Sequence, residues 1–144
     1  MFLPPLTEFD WSGWTGWTPL ATLDFSVVPT TSGAYVISTE RPISRAVNVD
    51  SLGILDIGES GALRKRLRDF YRCITRRGEE GHMAGWRFAF FYLERSFPIE
   101  SLRVRWFSAT TKKEAHRAES QLLLSYLKHH CELPPLNYKF NWRL

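Results

Sequence analysis

The densest chemistry in the sequence lies between Ile54 and Tyr71, Ile-Leu-Asp-Ile-Gly-Glu-Ser-Gly-Ala-Leu-Arg-Lys-Arg-Leu-Arg-Asp-Phe-Tyr. Arg64, Lys65, Arg66, Arg68 and Arg72 present five cations along one segment, which suits a polyanion. A solvated face paired with Glu79 and Glu80 is the simpler alternative. Further on, Glu119 falls inside the apolar stripe Ala115, Ala118, Leu122 and Tyr126. Burying an unpaired carboxylate costs several kcal/mol, so Glu119 must meet a cation or reach a solvent cleft. A structural ion pair with an arginine of the first helix competes with a metal or substrate role. His116 precedes Glu119 by three residues, a spacing that can put two ligands on one helix face, but without a second pair it reads as a surface histidine. His129-His130-Cys131 reads as a polar helix end. No P-loop, Gly-x-Ser-x-Gly elbow or zinc spacing is present.

These residues need elements to position them. Ile54–Ile57 predicts a strand, Gly58 and Gly61 a turn with positive φ or close backbone approach, and Ser60 a helix cap. Leu63, Leu67, Phe70 and Ile74 recur at helical spacing and predict the buried stripe of the basic helix. Before it, Pro29–Gly33 reads as a turn, Ala34–Ile37 as a strand and Ser38–Leu52 as a long loop, which suggests an antiparallel pair. After it, Gly78–Gly85 reads as a flexible connection and Trp86–Leu93 as an aromatic, β-prone run. Leu102, Val104 and Trp106 alternate with Arg103 and Arg105, the period of a half-buried strand. Thr111–His129 is the clearest helix, with Thr111 and Glu114 as a capping box and Pro134-Pro135 beyond its end. Residues 1–31 form a loop-rich arm in which Trp11, Trp14 and Trp17 either pack over a sheet face or stack on the bases of a single strand.

With 144 residues, 44% hydrophobic and 15% aromatic, the chain is expected to fold as one domain with a real core. Its net charge of +4 favours an acidic partner only moderately. Position says more, because seven of the 19 Lys and Arg residues lie between Arg64 and Arg77. Cys73 and Cys131 lack metal or redox spacing, so a reducing compartment is expected. With no signal segment and no run near the ~18–20 apolar residues of a membrane span, a cytoplasmic, membrane-free protein is expected.

Gly33-Ala34-Tyr35 on one strand, Asp56-Ile57-Gly58 on the next and Arg66 in the following helix resemble the motifs of the GIY-YIG nuclease superfamily. Ile57-Gly58-Glu59-Ser60, with Leu63 and Arg66-Leu67 after it, is similar to that family's second motif and arginine helix. Glu119 in a later helix and Asn137 in Pro134-Pro135-Leu136-Asn137 complete the order, over about Ser32 to Asn137. The resemblance implies an α+β fold, a small antiparallel sheet flanked by helices, with residues 32–144 as the nuclease domain. It also implies cleavage of a DNA phosphodiester with one divalent cation, Mg²⁺ or Mn²⁺. Tyr35 would activate water or act as general base. Arg66 would stabilise charge on the phosphate, Glu119 would hold the metal, and Asn137 would shape the cleft. Arg64, Lys65, Arg68 and Arg72 would contact the nucleic acid.

Two positions depart from the family pattern. Asp56 replaces the second motif's tyrosine, and its reference pKa of about 3.9 makes it anionic at neutral pH. A carboxylate about 4 Å from a phosphate would repel it by roughly 4 kcal/mol at an effective dielectric of about 20. Asp56 is therefore expected either as a second metal ligand or as a partner that quenches Arg66. Phe70 stands where a histidine or tyrosine is often found. The expected function is a metal-dependent endonuclease or nickase on DNA, with or without a homodimer or protein partner. A non-cleaving nucleic-acid-binding module is the alternative, and a protein-interaction domain using the tryptophan arm a third.

Overall fold

The computed structural model describes residues 3–76 and 81–140. Its elements in chain order are strand β1 (Thr18–Pro19), β2 (Gly33–Thr39), β3 (Ile43–Ser44), β4 (Val49–Asp50) and β5 (Ile54–Ser60). Helix α1 (Leu63–Thr75), α2 (Met83–Phe90), strand β6 (Leu102–Ser108) and helix α3 (Lys112–His130) follow. The fold is α+β. Four antiparallel strands in the order β1-β6-β2-β5 make the main sheet, and β3 and β4 pair separately. Helices flank the sheet, as the sequence leads one to expect.

The central strand β2 is buried along its whole length, and its side chains alternate between two cores. Tyr35 and Ile37 join Leu63, Leu67, Phe70 and Ile74 of α1 on one face. Val36 meets Leu122, Leu123 and Tyr126 of α3 on the other. β6 alternates as predicted, with Leu102, Val104 and Trp106 buried. Its Arg103 and Arg105 guanidinium groups lie over indole rings of the arm. Arg103 is 4.6 Å from the Trp17 ring, and Arg105 is 4.5 Å from Trp11 and 4.6 Å from Trp17. The arm also supplies β1, so residues 3–31 pack as part of the sheet layer. Stacked cations of this kind hold the tryptophans by cation–π attraction as well as by area.

Four local expectations need correction. Trp86–Leu93 is not a strand, because Met83–Phe90 forms α2. Its alternating aromatics imitate a period of two, but tertiary contact decides the matter. Gly85 sits so close to α1 that a Cβ there would lie 2.8 Å from the Cys73 Cβ, and Ala84 and Phe88, one turn apart, are buried. The expected connection Gly78–Gly85 therefore ends at Gly81 and His82, and its residues 78–80 lie outside the described residues, as do the Glu79 and Glu80 invoked for ion pairs. Ser38–Leu52 is not all loop, since it holds the β3–β4 pair. Ser60 does not cap α1 directly. Ala62 occupies that position without a side-chain cap, and Ser60 Oγ accepts from the Ala62 amide at 3.0 Å.

Helix α3 is capped as predicted by Thr111, whose hydroxyl accepts from the Glu114 amide at 3.1 Å. Glu114 then turns to Thr110 rather than to the Thr111 amide. Cys73 and Cys131 are both free thiols. Among the described residues, no helix is long and apolar enough to cross a membrane.

Candidate active site

Strand β5 forms an edge of the main sheet, and the ridge it makes carries the site. Beyond that edge, the Leu136 amide donates to the Leu55 carbonyl at 2.9 Å. Asn137 then acts as a one-residue substitute for a neighbouring strand. Its Oδ1 accepts from the Ile57 amide at 3.0 Å, and its Nδ2 donates to the Ile57 carbonyl at 2.9 Å. An edge left with bare amides and carbonyls would invite pairing with another chain, and Asn137 closes it at one residue.

A β-bulge sets the side chains of β5. Ile37 pairs with Asp56 but Ser38 pairs with Ile54, so Leu55 is the extra residue. Leu55 joins the α1 core while Ile54 returns to the α3 core, and Asp56 keeps the Tyr35 face. Bulges commonly re-aim side chains next to functional sites. Tyr35 lies across Gly58 on the same face, so closely that a Cβ at Gly58 would overlap the phenol hydroxyl. Close approach, not positive φ, is what this glycine supplies. Gly58→Ala is expected to destabilise the protein by about 1–3 kcal/mol, the usual cost of overpacking. Thermal melting checks it, and an unchanged melting temperature would mean that Tyr35 can move aside freely.

Around this edge lies a cleft of about 150 Å³ lined by Tyr35, Asp56, Glu59, Arg66, His82, Glu119 and Asn137 among others. Five of the residues singled out from sequence, Tyr35, Asp56, Arg66, Glu119 and Asn137, thus meet in one place. Arg64, Lys65, Arg68 and Arg72 do not line it. Arg64 donates to the carbonyls of Val28 and Ser26 at 2.8 and 2.9 Å and ties α1 to the arm. Lys65 and Arg72 both pair with the buried Asp69, at 2.7 and 3.1 Å. Arg68 lies 5.9 Å from the Phe25 ring.

The hydrogen bonds around Tyr35 have a direction. His82 Nδ1 accepts from the Gly85 amide at 3.3 Å, so the neutral ring carries its proton on Nε2. Nε2 lies 2.8 Å from Tyr35 Oη and therefore donates to it. Burial, aided by Arg66, holds the imidazole down at about 3, so it stays neutral. With one lone pair of Oη occupied, the Tyr35 proton is free to point at Asp56. Burial and the Asp56 charge push the phenol well above its ordinary value, against the pull of Arg66. Tyr35 is accordingly a proton donor at neutral pH and not a phenolate.

The carboxylates are crowded. Burial pushes Asp56 up to about 6, while the Tyr35 hydroxyl, Arg66 and Arg87 pull it down. Burial, Glu59 and Asp56 together push Glu119 up to about 7, with the Glu59 amide and Lys139 opposing. His116 Nδ1 is 3.9 Å from Glu119 Oε1. Among the described residues, Asp56 Oδ2 and Glu59 Oε2 are buried without a hydrogen-bond partner. Orphaned carboxylate oxygens beside a third carboxyl fit a hard divalent cation better than any neutral ligand. Among the described residues, no group of three or more His, Cys, Asp or Glu is arranged as a ready-made metal cage. Such a cation would therefore keep several waters, as Mg²⁺ usually does.

Three participants were not singled out from sequence. Glu59 stands inside the quoted motif and faces the α3 side of the edge, so strand alternation from Ile57 would have found it. Arg87 acts on Asp56 from α2, an element misread as a strand. His82 occupies the ground left by Phe70, whose ring packs edge-on against it at 5.1 Å, and no local signal marks it. Comparison with known protein families, characterised proteins and solved structures finds no match to this chain.

Proposed function

We propose that this protein is a divalent-metal-dependent endonuclease or nickase hydrolysing DNA phosphodiester bonds, of the kind the GIY-YIG resemblance implies. One observation carries it. Tyr35, Arg66 and Glu119, far apart in sequence, line a single cleft together with Asp56. Glu119 and Asp56, with Glu59 beside them, would hold Mg²⁺ or Mn²⁺, which when bound supplies Lewis-acid polarisation of the phosphate.

The chain's own residues divide the remaining work. Arg66 sits where it can meet charge building on a phosphoryl oxygen. The Tyr35 hydroxyl takes a proton from the attacking water as its own proton passes to Asp56, so the carboxylate ends protonated and the phenol is regenerated. His82 holds the Tyr35 oxygen by donating to it. Asp56 thus replaces the family's second tyrosine as proton acceptor as well as ligand. The basic helix adds salt-dependent attraction to the backbone, through Arg68 and the outer faces of Arg64, Lys65 and Arg72. One cleft cuts one strand, so cutting both takes a second copy or a partner.

A second reading is a nucleic-acid-binding module without turnover, favoured by Asp56 and by the lack of a three-ligand cage among the described residues. Supercoiled plasmid incubated with Mg²⁺ or Mn²⁺ separates the two. Nicking by the wild type that EDTA and Glu119→Ala abolish is expected. Plasmid left equally intact by wild type and variant would remove catalysis on duplex DNA. Asp56→Tyr is expected to be less active than wild type, and a gain of activity would favour the degenerate module.

A further inference from the structure

Helix α2 exposes an aromatic face next to the cleft. Trp86 and Phe90, one turn apart, stack with ring centroids 4.7 Å apart and planes inclined by 16°. Trp86 is 36% and Phe90 58% exposed, and Met83 is 47% exposed beside them. A groove of about 410 Å³ runs along this face, lined by Gly81, His82, Met83 and Trp86. Single exposed apolar residues are ordinary, but a contiguous patch beside a site marks something to be bound.

The groove continues the cleft. His82 and Met83 line both, and Arg66 reaches the groove's inner end by donating to the Gly81 carbonyl at 3.2 Å. Among the described residues that line it none is a carboxylate, and at its inner end Gly81 adjoins the Arg66 guanidinium together with the Arg72–Asp69 pair. A cationic anchor for a phosphate therefore adjoins a flat, near-parallel stack of rings. That is the pairing found wherever unpaired nucleotides are held without sequence preference.

Resting on the reading of the cleft as a phosphodiester site, we propose that the Trp86–Phe90 face stacks an unpaired base of the nucleic acid next to the phosphate held at Arg66. The preferred substrate class is then DNA with an unpaired or splayed nucleotide beside the scissile bond. Phe90 extends the stack outward, and Met83 fills the side of the groove against the base.

The test is binding in EDTA, where no cleavage occurs, of fluorescein-labelled oligothymidylate and of an abasic oligonucleotide of equal length and charge. Stacking of one base predicts at least about fivefold tighter binding of the thymidine strand. Trp86→Leu keeps apolar bulk but loses the π face, and is expected to bring both oligonucleotides to the same affinity. Trp86→Phe, which keeps a ring, is expected to retain the preference. Equal binding of both strands by the wild type would overturn the proposal, as would an undiminished preference in Trp86→Leu. A wild-type dimer that Trp86→Leu converts to monomer, with no base preference, would assign the face to a second copy instead. Failure of the nuclease reading looks different, as a plasmid left intact in Mg²⁺ while the thymidine preference persists.

Discussion

Arg66→Ala is expected to slow plasmid nicking by about 10²–10³-fold, which corresponds to about 3 kcal/mol for removing one donor aimed at developing negative charge. Arg66 is half-buried in α1 and donates to the Gly81 carbonyl at 3.2 Å. Its loss removes a cation that holds the buried Asp56 carboxyl down and leaves Arg87 to do so, so a stability loss of about 1–2 kcal/mol at neutral pH is expected as well. Arg66→Lys keeps the charge but not the planar fork, and an intermediate rate is expected. Single-turnover nicking compared with thermal melting separates the two effects. An Arg66→Ala protein that melts and cleaves like wild type would leave the guanidinium without a role in the chemistry.

Glu119→Gln is expected to stabilise the protein at pH 8 while abolishing nicking. Burial and neighbouring carboxylates raise the Glu119 carboxyl from 4.5 to about 7. Between those values the folded chain holds a proton that the unfolded chain has released, so stability falls as pH rises through that interval. The interval corresponds to about 3 kcal/mol at pH 8. Asp56, raised from 3.8 to about 6 by burial, acts in the same direction between about pH 4 and 6, and because the two groups interact their effects will not add. Glutamine keeps the shape and removes the charge. At about 2–4 °C per kcal/mol for a chain of this size, its melting temperature should exceed that of wild type by roughly 5–10 °C at pH 8, and by little at pH 5. Mg²⁺ should narrow the gap by stabilising the wild type more than the variant. An equal gain at pH 5 and pH 8 would show that the buried charge is not its source.

How much of this was legible in the sequence differs from element to element. Leu63, Leu67, Phe70 and Ile74 declare α1 because a helix packed on a sheet needs one continuous apolar stripe, and the α1 stripe is continuous. Leu102, Val104 and Trp106 declare β6 for the corresponding reason. Glu119 announces itself because a carboxylate in an apolar stripe needs an explanation. Helix α2 is illegible locally, since Trp86, Phe88, Phe90 and Tyr92 alternate like a strand. Only the close seat of Gly85 on Cys73 and the cap from His82 make it helical. The same failure hides His82 and Arg87. Their parts in the site come from an element fixed as much by the distant seat of Gly85 on Cys73 as by its own residues. The sharing of Asp69 between Lys65 and Arg72 is equally illegible, because an acidic residue in a basic helix reads as solvated until the fold buries it.

The proposed function requires Asp56 and Glu119, which line one cleft with Arg66, to hold a divalent ion against a phosphate. The most direct measurement is a Mn²⁺ titration followed by electron paramagnetic resonance at pH 8, where Asp56 and Glu119 are ionised. One ion per chain is predicted for the wild type, with affinity at least about tenfold weaker in Glu119→Gln and in Asp56→Asn, since losing even a group that only supports a ligand typically costs that much. Equal Mn²⁺ binding by all three proteins, or none by the wild type, would contradict it.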